Sequence, residues 1–113
     1  MTTTLRNQDL SMPPTFERPV HSSVLELEGA LRAPIDTRLR ECVARLLQRG
    51  ERRVILRVKR LSDIDAAGLG ELAHVANLAM AAGGVLQIAD AGRRISELLR
   101  ATGLSRLLVD PLD

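Results

Sequence analysis

Three short runs of aliphatic residues, Val24–Glu28 (V-L-E-L-E), Val54–Val58 (V-I-L-R-V) and Val85–Ala89, alternate with segments whose apolar residues recur three and four apart. That alternation restricts the fold more than any other feature. A strand, a helix long enough to run back along it, and a second strand give parallel pairing with helices packed on a sheet. The middle run is nearly continuous and β-branched, as in a strand covered on both faces.

The punctuation agrees with this reading. Pro34 opens the first helix, where its fixed φ suits the first helical position. Ile35, Leu39, Val43 and Leu46 form one buried stripe, with Arg38, Arg40, Glu41 and Arg45 opposite, and Arg49-Gly50 closes the helix. A second helix is expected from Ala66 to Ala82, stopped by Gly83-Gly84, and a third from Arg93 to Ala101, stopped by Gly103. Leu107–Val109 reads as a last short strand. Upstream, the polar residues 1–14 read as a mobile tail and residues 15–113 as the domain. An irregular edge strand is expected near Thr15 or Phe16, with Pro19 where no ladder bond is needed.

Composition narrows the function. Phe16 is the only aromatic residue in a chain that is 45% hydrophobic, so the core is aliphatic. Nothing is on offer to stack nucleic-acid bases. The net charge is +2, and although fifteen of the sixteen basic residues are Arg, acidic residues are interspersed among them. These charges read as solvated faces, and no nucleic-acid partner is expected. Cys42 is alone and cannot form an internal disulfide, which suits a reducing compartment; on the apolar stripe of the first helix it reads as a buried, inert thiol. No stretch approaches the roughly 18 apolar residues of a membrane span, and no signal-peptide core is present, so a cytoplasmic domain without membrane insertion is expected.

An enzyme needs a constellation of reactive groups, and none can be assembled. His21 and His74 have no Cys, His or carboxylate at metal-ligand spacing. Gly68-Leu69-Gly70 is followed by Glu71 and not by Lys-Ser/Thr, so it is no phosphate loop, and there is no Gly-x-Ser-x-Gly elbow. Asp63 and Asp65 lie two apart on an expected loop, with nothing nearby to separate their pKa values. A binding protein without cofactor or metal is the reading that follows.

The informative segment is Leu61-Ser62-Asp63-Ile64-Asp65-Ala66-Ala67-Gly68-Leu69-Gly70. Asp65 is a natural N-cap, able to accept from the free N–H groups of the first helical turn. Gly68 then falls at the third helical position, where Gly costs about 1 kcal/mol relative to Ala. Either close packing on the sheet or close approach of a partner must compensate. The second helix is also apolar nearly all round: in 69–82 only Gly70, Glu71, His74 and Asn77 are not apolar. Such a helix lies deep in a core or covers a second surface. The steps between Leu69, Ala73, Ala76 and Met80 place those four inward, which leaves Leu78 outward with Glu71 and His74.

Ile64-Asp65-Ala66-Ala67-Gly68-Leu69-Gly70 resembles the D-S-x-G-L-G motif of STAS domains, the anti-sigma-factor antagonists and their relatives. Leu25-Glu26-Leu27-Glu28-Gly29-Ala30-Leu31 is similar to that family's L-x-L-x-G-x-L strand and turn. Gly83-Gly84-Val85-Leu86-Gln87-Ile88 is similar to its G-G-x-L-x-L strand, and Leu98-Leu99-Arg100-Ala101-Thr102-Gly103-Leu104 to its L-L-x-x-T-G-L helix end. The four pieces occur in order from about Thr15 to Val109. The resemblance implies an α/β fold with a four- to five-stranded mixed sheet and helices packed mainly on one face. A partner-binding surface is expected at Asp63, Asp65, Ala66, Ala67, Gly68 and Leu69, around the motif that the resemblance marks, and at Glu71, His74 and Leu78, which the helical wheel of the second helix turns outward. In the signalling members of that family the Ser after the motif Asp is phosphorylated by an anti-sigma kinase, and the unphosphorylated form binds that kinase.

This chain departs from the pattern in three places. Ala66 stands where the phosphorylated Ser would be, so no phosphorylation is expected at the motif; Ser62 is the nearest hydroxyl. Arg57 stands where an Asp often ends the central strand. The sequence also stops at Asp113, short of the C-terminal helix of many members. The expected partner is an anti-sigma factor, a serine-kinase-like protein or another regulatory protein, in partner switching. The alternative is a STAS subunit bound to the ATPase of a lipid-transport ABC system, or a scaffold of a signalling assembly; neither needs an acceptor Ser. The oligomeric state stays open, a dimer included.

Overall fold

The structure, a computed structural model, describes residues 22–109. The elements run β1 (Ser22–Leu31), α1 (Arg38–Gln48), β2 (Arg53–Ile64), α2 (Ala66–Ala81), β3 (Val85–Ala89) and α3 (Arg93–Ala101), followed by a 3-10 turn at Ser105–Leu107. The expected tail and the edge strand near Thr15 or Phe16 lie outside the described residues.

The three strands form one sheet in the order β1-β2-β3, and both pairings are parallel. Each strand is joined to its sequential neighbour through a helix, and right-handed crossovers then bring α1 and α2 to the same face. Leu25 and Leu27 of β1, Val54, Leu56 and Val58 of β2, and Leu86 and Ile88 of β3 are the alternate positions that point to that face. They share one cluster with Leu39, Val43 and Leu46 of α1, Leu69, Leu72, Val75, Ala76 and Ala79 of α2, and Ile95 and Leu99 of α3. Cys42 is buried there too.

Among the described residues the sheet is thus three-stranded and wholly parallel, which corrects the expectation of four or five mixed strands. The segment Leu107–Val109 does not extend β3 as a strand. Leu104 and Leu107, three apart, both turn into the core, and the chain spends those residues in the 3-10 turn. One parallel bridge remains, between Ile88 and Leu108, closed by Val109 N–H donating to the Ile88 carbonyl at 2.9 Å.

Three boundaries also differ from expectation. β1 does not end with the run at Glu28 but passes through Gly29 at φ +89° and continues to Leu31. β2 runs six residues past Val58, with β1 as its partner along that extension. Helix α1 begins at Arg38, not at Pro34, because Asp36 captures the Arg38 N–H at 2.8 Å and fixes the start there. The helix ends were legible: Gly50, Gly83 and Gly103 all take positive φ, and the next residue's N–H reaches back to Leu46, Ala79 and Leu99. That is the six-to-one closure of a helix ended by glycine.

Candidate functional site

In open α/β sheets, functional groups collect beyond the carboxyl ends of the strands. Here β1 ends at Leu31, β2 ends at Ile64, and α2 starts at Ala66, so Asp65 sits where all three meet. Its backbone is extended (φ −113°, ψ −173°), and its carboxylate does two things at once. Oδ1 accepts from Gly68 N–H at 2.8 Å, which caps α2, and Oδ2 accepts from Ala33 N–H at 3.1 Å, which ties down the loop after β1. The Asp65 N–H in turn donates to the Leu31 carbonyl at 3.3 Å. The Gly68 bond first, and the Ala33 bond second, hold the Asp65 carboxyl below the ordinary carboxylate range.

Gly68 explains how close these elements come. A Cβ on Gly68 would collide with the Leu31 carbonyl oxygen and lie 2.7 Å from Ile64 Cγ1. The missing side chain therefore serves packing of α2 against the ends of β1 and β2. Gly70 is different: a Cβ there would meet nothing within 4 Å. It lies on the exposed strip of α2 with Ala66, His74, Asn77 and Ala81.

Asp63 and Asp65 do not share an environment. Asp63 belongs to β2 and lies between two guanidinium groups, Arg32 Nη1 at 3.5 Å and Arg94 Nη2 at 3.0 Å. Arg32 and Arg94 come from the loop just after β1 and the first turn of α3, and no local sequence signal marks either as a partner of the motif. Ser62, also in β2, donates its hydroxyl hydrogen to the Gly29 carbonyl at 2.9 Å. Ala66, the first helical residue, is exposed, and Ala67 is half-buried.

The phasing of α2 differs from the sequence reading. Its buried side is Gly68, Leu69, Leu72, Val75, Ala76 and Ala79, with Glu71 buried beside them. Met80, expected inward, is 61% exposed, and Glu71, expected outward, is 3% exposed. Arg40 of α1 explains the burial of Glu71: Nε approaches Oε2 at 3.1 Å and Nη2 approaches Oε1 at 2.5 Å, a bidentate clamp between the helices. Leu78 is half-buried and does not stand free in solvent. It lines a groove of about 240 Å³ with Ala44 and Leu47 of α1 and Ala82. His74 is exposed.

Of the sequence-derived set, Asp65, Ala66, Ala67 and Gly68 thus form the cap of α2, and Asp63 stands beside it in an arginine pair. Leu69 and Glu71 support the helix from beneath, while His74 and Leu78 lie further along it, on the exposed face and over the groove respectively. Among the described residues no three His, Cys, Asp or Glu side chains are arranged to hold a metal ion. No described helix is long and apolar enough to cross a membrane.

The family model described as "Mlab, STAS domain" matches residues 15–110. No curated protein matches the sequence. Among solved structures, the anti-sigma factor antagonist SpoIIAA of Bacillus in its unphosphorylated form superposes with a TM-score of 0.73 at 18% identity, covering 99% of this chain and 90% of that one. A putative anti-sigma factor antagonist from Thermotoga maritima gives 0.71 at 17% identity, over 94% and 91%. A sulfate transporter family protein from Wolinella succinogenes gives 0.68 at 18% identity, over 96% and 90%. At these identities the likeness establishes the fold.

Proposed function

The chain belongs to the STAS domain family, and on that premise we propose that it is a protein-interaction domain of the anti-sigma-factor-antagonist kind, fixed in an unphosphorylated-like state. The observation that carries this reading is Ala66: exposed, first in α2, next to the Asp65 that welds strand ends to helix, and without a hydroxyl. In this reading the first turn of α2 and its exposed strip through Gly70 and His74 form the contact surface. Asp63, Ala67 and Leu78 sit at its margins, and Gly68, Leu69 and Glu71 hold it in shape. The partner is an anti-sigma factor, a serine-kinase-like protein or another regulatory protein of the cytoplasm. The work is binding and not catalysis.

A second reading is favoured by the same residue. A STAS subunit clamped on the ATPase of a lipid-transport ABC system needs no acceptor hydroxyl, and Ala66 suits that role equally.

The test is capture of partners from native cell extract on the full chain, identified by mass spectrometry, then repeated with Ala66→Glu. A carboxylate at the start of a helix is tolerated or stabilising by about 0.3–1 kcal/mol. The variant is therefore expected to keep its melting temperature and to bind at least tenfold more weakly. Unchanged affinity refutes the proposed surface. Incubation with the captured kinase and ATP, read by intact mass, is expected to add no phosphate; one mapped to Ser62 overturns the fixed-state reading.

A further inference from the structure

The face of the sheet away from α1 and α2 carries the other alternation: Glu26 of β1, Arg57 and Lys59 of β2, and Ala89 of β3. β2 has an irregularity at this point. Glu26 pairs with Arg57 and Glu28 with Arg60, so three steps on β2 oppose two on β1. The extra residue breaks the alternation, and both Lys59 and Arg60 are exposed between buried Val58 and Leu61. A bulge re-aims side chains in this way. A regular strand would have sent Arg60 towards the helices.

The result is a cavity of about 480 Å³ lined by Glu26, Arg57, Lys59, Arg60 and Asp90. It shares no residue with the surface around Ala66. Its two carboxylates are mostly buried, Arg57 is half-buried, and Lys59 and Arg60 are exposed. Asp90, at φ +60° just past β3, lies 3.1 Å from Arg57 Nε with 16% of its side chain exposed. Glu26 lies 3.4 Å from Arg60 Nε, and Glu28 lies 3.2 Å from Arg60 Nη1. The carboxylates thus neutralise the two guanidinium groups as ion pairs, but Arg57 Nε stays buried without a hydrogen-bond partner. A guanidinium has five N–H donors, and among the described residues the cations of this cavity make one hydrogen bond to a carboxylate, Arg60 Nη1 to Glu28 at 3.2 Å.

We propose that this cavity binds a small dianion, a phosphate monoester or an oxyanion of the same charge, between the outer nitrogens of Arg57 and Arg60 and the Lys59 ammonium. The volume falls within the roughly 300–1,000 Å³ of small-molecule sites. Planar donors that remain after one edge is tethered are what oxyanion recognition uses. No aromatic side chain lines the cavity, so charge and hydrogen bonds, and not stacking, select the ligand. Arg57 thereby has a role of its own in place of the Asp common at that strand position.

Titration of the ¹⁵N-labelled full chain with glycerol 3-phosphate, at ionic strength held constant with sodium chloride, tests this. Saturable amide shifts are expected at Glu26, at 57–60 and at 89–90. Lys59→Gln is expected to weaken binding at least fivefold, and Lys59→Gln combined with Arg60→Gln at least tenfold, with little change in melting temperature because both residues are exposed. Inorganic phosphate should produce the same shifts at higher concentration. Linear shifts scattered over other arginines, or a folded double variant that binds within twofold of wild type, overturn the proposal.

Discussion

Gly68→Ala isolates the packing that forms the cap of α2. On propensity alone Ala would stabilise the helix by about 1 kcal/mol. Against that, the new methyl collides with the Leu31 carbonyl and crowds Ile64 Cγ1. The first obstacle is backbone, which cannot rotate away as a side-chain tip would. Relief requires the first turn of α2 to move off the strand ends, and that stretches the Asp65 bonds to Gly68 and Ala33. Overpacking of this kind costs typically 1–3 kcal/mol, with rigid backbone at the upper end, so after the propensity gain is subtracted a net loss of about 2 kcal/mol is expected. At about 4–8 °C per kcal/mol for a domain of this size, the melting temperature falls by roughly 8–16 °C. Gly70→Ala is the internal control, because its methyl meets nothing; the same propensity then gives a gain of about 0.5–1 kcal/mol. Urea and thermal unfolding followed by circular dichroism read both. A Gly68→Ala protein as stable as the wild type would refute the argument that close approach to Leu31 is why Gly occupies this position.

The acid limb of stability tests the Asp65 cap. Its carboxyl is held low, so its contribution is complete above the unfolded value of about 3.9 and fades as pH falls through the folded one. The gap in melting temperature between wild type and Asp65→Asn should therefore be constant above about pH 5 and narrow below about pH 4; a gap that widens on acidification contradicts the cap. Arg40→Ala leaves the buried Glu71 carboxylate without its clamp, whereas Glu71→Gln keeps a hydrogen-bonding group and drops the charge. The first variant is expected to melt well below the second, and the reverse order would show that the ion pair does not hold α1 to α2. Leu78→Glu removes a half-buried side chain from the groove against Leu47 and adds a negative charge near the end of α2. A folded protein destabilised by about 1–2 kcal/mol is expected by chemical denaturation, and wild-type stability would mean that the groove contacts contribute nothing.

The contrast between Gly68 and Leu78 shows what this sequence discloses and what it hides. The existence of the three paired strands, the helix ends at Gly50, Gly83 and Gly103, and the Asp65 cap follow from local backbone chemistry, which a few adjacent residues determine, whereas the strand expected at Leu107–Val109 gives way to a 3-10 turn ending at Leu107. Strand length does not follow from it, because the extension of β2 beyond Val58 passes through Lys59, Arg60, Ser62 and Asp63, polar residues that belong to a strand only because β1 is there to pair with them. The phase of α2 is hidden for a different reason. Its apolar positions include several alanines, which fit a buried or an exposed site almost equally, so a stripe drawn through Ala73, Ala76 and Met80 looked as good as the real one. Leu72 and Val75, which carry more apolar area than Ala73, lie on the buried side, whereas Met80 is exposed. Glu71 is harder still: a carboxylate reads as solvent-facing until Arg40, thirty-one residues earlier, is known to meet it. The same holds for Arg32 and Arg94 around Asp63. Long-range pairing of charges decides which polar residues the fold takes inside, and one-dimensional spacing carries no trace of it.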